Sequence, residues 1–134
     1  MVYSCEVPVS SRIRNEMVDI TGAISDAVGK SGIQNGTCLI ASLHTTAGIT
    51  INENADPSVV RDILWKLEAL IPADDRFHHR EGNSDSHIKA SLVGLSVQVP
   101  ISGSRPVLGR WQGIYFCEFD GPRRRRVSVI VIGE

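Results

Sequence analysis

Long apolar runs are missing from this chain. None approaches the ~18 residues that a membrane-spanning helix needs, so no span is expected. The opening Met1-Val2-Tyr3-Ser4-Cys5-Glu6 lacks the basic start and apolar block of a secretory leader, which sets a cytoplasmic expectation. Cysteine is scarce: Cys5, Cys38 and Cys117 are odd in number, far apart and form no Cys-x-x-Cys. That argues for reduced thiols rather than a disulfide framework. Neither sign of charge dominates, with 14 basic against 15 acidic residues and a formal charge of −1. Bulk electrostatics therefore predict neither nucleic-acid nor anionic-membrane binding. Aromatics make up only 5% of the chain and do not interleave with its arginines, so no single-strand stacking platform is expected. Gly-x-x-x-x-Gly-Lys and Gly-x-Gly-x-x-Gly are both absent, which argues against nucleotide-dependent phosphoryl transfer and dinucleotide redox chemistry. Repeats, linkers and low-complexity segments are absent too. The 134 residues fit one domain, 1–134, with enough length for an unstapled core.

What is present is periodicity. Ile13, Met17, Ile20, Ile24, Ala27 and Val28 fall on one helical stripe, predicting a helix over 12–29 with Ser10 or Ser11 as cap and Gly29 or Gly32 as stop. A second helix is predicted after Asp56 as cap and Pro57 at the first position, with Val60, Ile63, Leu64, Leu67, Leu70 and Ile71 inward and Pro72 ending it. A short third helix is expected over 86–93, with Ile88 and Leu92 inward. Strands are expected over 2–9, 36–43, 45–51, 95–101, 107–119 and 125–132. The turns Ser102-Gly103-Ser104-Arg105-Pro106 and Asp120-Gly121-Pro122 make the last third read as an antiparallel meander. Together these elements predict an α+β fold, helices on a mostly antiparallel sheet or sandwich.

The chemistry concentrates in a few places. His44 follows a strand, His79 lies in the polar stretch His78-His79-Arg80-Glu81-Gly82-Asn83-Ser84-Asp85, and His87 opens the short helix. Three imidazoles from separate elements suit a zinc or other transition-metal centre with an open position. They equally suit surface histidines with no common focus, since their spacing matches no established ligand motif. Thr45-Thr46-Ala47-Gly48 has the small residues and hydroxyls of either an anion-binding turn or a plain bend. Asn52-Glu53-Asn54-Ala55-Asp56-Pro57 crowds polar groups before a helix, either as its cap or to orient imidazoles. Strand alternation lets only two of Arg123-Arg124-Arg125-Arg126 face one ligand, so one or two are expected to contact an anion and the rest to be solvated. Cys117 reads as a buried thiol, and Glu118 beside it as a carboxylate either exposed or paired in a site.

Three blocks in order carry a resemblance. They are His44-Thr45-Thr46-Ala47-Gly48-Ile49-Thr50-Ile51-Asn52-Glu53-Asn54-Ala55-Asp56-Pro57, the run from His79 through His87 to Ser91, and Leu108-Gly109-Arg110-Trp111-Gln112-Gly113 continuing to Asp120-Gly121-Pro122-Arg123. With these the chain resembles the YjbQ family, also called the secondary thiamine-phosphate synthase family. The resemblance implies an α+β sandwich assembled as a homotrimer, with shared polar residues gathered in a cleft. It implies catalytic roles for His44, Asp56, His79, Glu81 and His87. Contacts to substrate phosphate fall to Thr45, Thr46, Asn54, Gln112 and Arg123, and a divalent metal to His44, His79 and His87. Zinc or another transition metal suits imidazole, whereas magnesium normally serves diphosphate departure. The implied partner is a small phosphorylated metabolite, not nucleic acid or membrane. The implied reaction joins a hydroxymethylpyrimidine diphosphate to a thiazole phosphate and releases pyrophosphate, with "secondary" marking a side activity. A metal-dependent hydrolase and a non-catalytic trimeric metal- or anion-binding protein are the alternatives. Arg110 departs from the small or hydroxyl residue expected there.

Overall fold

Strand β7 (Gln112–Glu118) organises the computed structural model, which describes residues 1–134. It is buried from Gly113 to Glu118, so both of its faces must be covered. Around it run β1 (Val2–Ser10), β2 (Glu16–Asp19), α1 (Thr21–Ser31), β3 (Gly36–Ser42), β4 (Ala47–Glu53), α2 (Pro57–Leu70), α3 (Ser84–Val93), β5 (Ser96–Ser102), β6 (Arg105–Pro106) and β8 (Arg124–Gly133). One sheet has the order β1-β8-β3-β5-β6 and the other β2-β7-β4, with every pairing antiparallel. The α+β expectation therefore holds. Ile114 and Phe116 of β7 join Val127, Val129 and Val131 of β8, Ile40 of β3 and Ile24 and Val28 of α1 in the main core. On the other face, Tyr115 and Cys117 join Met17, Phe119 and Ala90, covered by Val60, Ile63, Leu64 and Leu67 of α2. The layers are sheet, sheet, then α2 with α3. No helix is long and apolar enough to cross a membrane.

Three expectations are corrected by the structure. The helix predicted over 12–29 begins only at Thr21, because residues 16–19 pair with β7 as β2. Asp19 Oδ1 accepts the Thr21 N–H (2.9 Å) and hydroxyl (2.6 Å), starting the helix there. Ser11 is no cap, and its hydroxyl serves the buried carboxylate of Glu118 instead. Gly32 does stop the helix, at φ 71°, a left-handed conformation that glycine adopts freely. The second correction is that the last third is no meander. β5 and β6 form a hairpin closed through Gly103 and Ser104, but β7 leaves for the second sheet and β8 returns to the first. An apolar strand buried on both faces can only sit in the middle layer. Third, α3 starts at Ser84 and turns Ile88 and Leu92 outward. Its inward face carries Asp85, Ser86, Lys89 and Ala90. Burying those charges costs less because they are paired. Lys89 bonds Glu68 and lies 3.9 Å from Asp85, and Arg14 holds both Asp85 oxygens at 3.1 Å.

The helix expected after Asp56 forms, with the Asp56 carboxylate accepting the Ser58 N–H at 2.9 Å and Pro57 in the first turn, but its packed face ends at Leu67 and Leu70, expected inward, is 64% exposed. No element covers the outer face of the five-stranded sheet. Val2, Leu39, Ile130 and Ile132 lie toward one end of it, with registers Val2 to Ile132 and Leu39 to Ile130. Glu6, Arg124 and Arg126 occupy the other end.

Candidate functional site

Three segments meet where the two sheets part. The first is the bend after β3. There the Ser42 hydroxyl accepts the His44 N–H (3.2 Å) and turns the chain toward β4. The second is the loop 72–83 with the start of α3. The third is the turn 119–123 between β7 and β8. Between them lies an open cleft of about 410 Å³ lined by Leu43, His44, Thr45, Thr46, His79, Glu81, Asn83, His87, Asp120, Arg123 and Arg125. Leu43 alone is apolar.

The floor is a buried ion pair. Arg125 donates from Nε to Glu118 Oε1 at 2.9 Å and from a terminal nitrogen to Glu118 Oε2. A further donation goes to Thr46 Oγ1 at 2.7 Å. Glu118 also accepts the Ser11 hydroxyl (2.6 Å) and the Asp120 N–H (3.1 Å). Burial alone would raise the Glu118 carboxyl, but these hydrogen bonds hold it below its ordinary value. Arg125 is thereby a fixed cation at the base of the cleft.

The walls carry the imidazoles. His79 and His87 stand edge to face with ring centres 5.3 Å apart. Nε2 of His79 lies 4.0 Å from Glu81 Oε1. Asn83, at the cap position of α3, donates to Asp120 Oδ2 at 2.8 Å. Arg123 donates to the Asp120 carbonyl (2.9 Å) and carboxylate (3.2 Å) and leaves half of its side chain exposed at the rim. His44 is used differently, since its Nε2 accepts the Arg126 backbone N–H at 2.9 Å. Burial and the nearby Arg125 push its pKa below the ordinary histidine value. A nitrogen that accepts carries no proton, so this hydrogen bond puts the ring's proton on Nδ1.

A catalytic metal centre needs about three protein donors converging on one point. Within the chain no group of three or more His, Cys, Asp or Glu side chains is arranged to hold an ion. His44 Nε2 is taken by a backbone N–H and its Nδ1 carries the proton, so His44 does not complete a set with His79 and His87. The residues of one chain thus do not fit a three-histidine centre.

Of the residues singled out from sequence, His44, Thr45, Thr46, His79, Glu81, His87 and Arg123 converge on the cleft. Asn54, Asp56 and Gln112 do not. They sit at the far end of β4 and β7, about 20 Å away along seven residues of strand. There Asp56 caps α2, Asn54 packs on Gly113, and Gln112 Oε1 accepts the Gly109 N–H at 2.7 Å. Arg125, Asn83 and Asp120 line the cleft without having been singled out. A signal for Arg125 existed: a carboxylate in so apolar a strand as β7 demands a partner, and strand alternation turns Arg125 away from Arg124 and Arg126. Cys117 is buried and pushed up to about 12 by that burial, so it stays a thiol.

Comparison with known proteins agrees with this architecture. The sequence profile of the family described as "UPF0047 protein YjbQ-like" matches residues 5–134. UPF0047 protein MJ1081 of Methanocaldococcus jannaschii is 54% identical over 126 residues, 94% of this chain and 91% of that protein. UPF0047 protein YugU of Bacillus subtilis is 48% identical over 121 residues, covering 90% of this chain and 92% of that one. A crystal structure from Clostridium acetobutylicum, described as an uncharacterized conserved protein of the yjbq/upf0047 family, superposes with a TM-score of 0.93 at 49% identity, covering 96% of this chain and 99% of that one. A Sulfolobus solfataricus structure described as a YbjQ-like protein of unknown function gives 0.95 at 36% identity, over 100% and 99% of the two chains. The chain belongs to the UPF0047 (YjbQ-like) family.

Proposed function

We propose that the cleft between His44, His79, His87 and Arg123 is the working site of an enzyme on small phosphorylated substrates, with thiamine-phosphate synthase chemistry as its reaction. The supporting observation is the lining itself: ten polar residues of eleven, two of them guanidinium groups and three imidazoles, in a cleft of about 410 Å³. Such a volume suits a small-molecule ligand, and such a lining suits a charged one. In the reaction, the thiazole ring nitrogen forms a bond to the pyrimidine methylene carbon as that carbon's bond to the diphosphate oxygen breaks. Negative charge develops on the departing diphosphate. Arg123 at the rim and Arg125 in the floor face that charge, and preorganised donors of this kind lower the barrier. His79 and His87 offer N–H donors to the same oxygens, and the exposed Thr45 hydroxyl reaches the phosphate. Glu81 orients His79, and His44 shapes the wall through its bond to Arg126.

A homotrimer is part of this proposal. The uncovered end of the five-stranded sheet, with Val2 at 70% and Ile132 at 48% exposure, supports self-association. The number three rests on the family resemblance, and light scattering of the purified protein measures it.

The test compares wild type with His79→Ala on the two precursors, each with and without chelator, followed by zinc or magnesium. His79 is 43% exposed, so the variant is expected to fold. Product from wild type, lost by at least a hundredfold in the variant, supports the synthase reading. Chelator-sensitive turnover restored by one of the cations adds a divalent metal whose donors extend beyond one chain's imidazoles. Equal background from both proteins refutes the synthase reading. Phosphate release without joined product assigns a hydrolase, and binding without turnover a non-catalytic role.

A further inference from the structure

The cleft is not the only cavity that His44 borders. On its other side a second cavity of about 400 Å³ is lined by Glu6, Pro8, His44, Arg124, Arg125 and Arg126, with no hydrophobic side chain. The two cavities share His44 and Arg125 and no other residue. We propose that this second cavity is a phosphate-binding subsite, so that the chain holds two phosphorylated ligands on opposite sides of His44. The proposal extends the reading of the cleft as a site for phosphorylated substrates to the number and placement of those substrates.

Strand geometry builds the subsite. In β8, Arg124 and Arg126 stand on one face, ~7 Å apart, opposite Ser10 and Pro8 of β1. That spacing lets two guanidinium groups grip one phosphate from two sides. Arg124 joins no ion pair, and Arg126 has only a solvent-exposed one to Glu6 at 3.3 Å. An entering phosphate therefore displaces little.

Charge separates the two cavities. In the cleft, Arg123 is answered by Asp120 and Arg125 by Glu118, and Glu81 adds a further carboxylate. In the second cavity, Arg124 and Arg126 face Glu6 alone once Arg125 is assigned to Glu118. The second cavity is thus the more cationic, and a phosphate monoester dianion is favoured there over the cleft. This arrangement also matches the proposed reaction, which binds two anionic substrates at once and is helped by a site that keeps their phosphates apart. His44, tied to the Arg126 backbone N–H, stands between the two cavities. Solvated surface arginines with no shared focus would bind phosphate no more tightly than any other exposed pair.

The experiment counts phosphate. Equilibrium dialysis with labelled inorganic phosphate is run on wild type, Arg124→Gln/Arg126→Gln, Arg123→Gln and Glu6→Gln. All four side chains are exposed, so the variants are expected to fold, and circular dichroism checks it. Two phosphates per chain are expected for wild type. The double variant should lose one with at least a tenfold drop in affinity, and Arg123→Gln should lose the other. Glu6→Gln should tighten the second-cavity site severalfold by removing the competing carboxylate. One phosphate per chain in wild type, or two persisting in the double variant, overturns the proposal. Where the synthase assay fails but the count of two stands, the reaction is wrong and the subsite right. Where turnover is present, the double variant should raise KM for the thiazole phosphate at least tenfold with kcat retained, and an unchanged KM for both precursors overturns the pairing.

Discussion

Replacing Arg125 with Met leaves Glu118 with no cation at a position of 0% exposure. Removing one partner of a buried pair costs ~3–5 kcal/mol, because the remaining charge is desolvated and unanswered. Here the Ser11 hydroxyl at 2.6 Å and the Asp120 N–H at 3.1 Å still serve Glu118, which places the cost near the lower bound, about 3 kcal/mol. For a chain of 134 residues, with an unfolding entropy of ~2.1 cal/mol/K per residue, each kcal/mol moves Tm by about 3.6 °C, so a fall of about 10 °C is expected at pH 7. The pH dependence carries a second signature. In wild type the carboxyl is held below its ordinary 4.5, so its contribution is complete above that value and lost as pH falls through the folded pKa. In the variant, burial dominates and the carboxyl rises above 4.5, so the deficit shrinks on acidification. Thermal melts at pH 7 and pH 5 read both effects. Replacing both residues, Arg125→Met with Glu118→Leu, should recover most of the loss, because no unpaired charge remains. A loss under 1 kcal/mol with an unchanged pH slope would refute the claim that this pair forms a desolvated floor.

Two further outcomes follow from local geometry. His44 is pushed below its ordinary 6.5, chiefly by burial and Arg125 with Arg126 adding and Glu118 opposing, so its contribution to stability is complete above pH 6.5 and lost as pH falls from there through its folded value. Urea midpoints between pH 7.5 and 5 should fall in wild type and stay flatter in His44→Gln. Gly48→Ala places a Cβ 2.5 Å from the Gly94 carbonyl oxygen, in the backbone contact where the Ile49 N–H also bonds Gly94. A destabilisation of ~1–3 kcal/mol is expected in urea titration, and a neutral result would mean that this contact yields freely.

Much of the site was legible because its residues are bound by local grammar. A hydroxyl, two threonines and a histidine after a strand mark a bend, and a histidine, a carboxylate and glycine before a helix mark a loop. Strand alternation within Arg123–Arg126 already said that the four arginines divide between faces. What stayed hidden was set by distant pairing. Residues 12–19 carry helical spacing, and only the partner strand β7, roughly a hundred residues on, converts 16–19 into a strand. The path of β7 between two sheets is likewise a long-range fact, and it turned an expected meander into a crossover. Asn54, Asp56 and Gln112 stand next to the cleft residues in motif order. Strand length then carries them to the opposite end of the second sheet.

Helix α3 shows where apolar patterning misleads, and it offers a direct check. By hydrophobicity Ile88 and Leu92 belong inside, yet they are 36% and 67% exposed, while Lys89 is 1% exposed. The inward face is set by charge pairing instead. Lys89 bridges Glu68 of α2 and Asp85, Arg14 clamps Asp85 from the chain before β2, and the Ser86 hydroxyl donates to the Phe119 carbonyl at 2.6 Å. The start of α3, with Asn83 and His87 at the cleft, is thereby tied to α2 and to the turn that carries Asp120. Leu92→Ser should change monomer stability by no more than ~0.5 kcal/mol, as exposed positions do. Lys89→Met keeps the apolar stem but leaves the Asp85 carboxylate with Arg14 alone. That should cost about 2 kcal/mol, below the full penalty for a broken buried pair because Arg14 retains both of its bonds. Urea unfolding of the two variants, at a concentration where self-association is excluded, compares them directly. A larger loss from Leu92→Ser than from Lys89→Met would mean that the apolar face is the packed one and that the ion network does not set the helix. The predicted order would instead mean that His87 reaches the cleft because a buried lysine, rather than an apolar stripe, fixes the rotation of its helix.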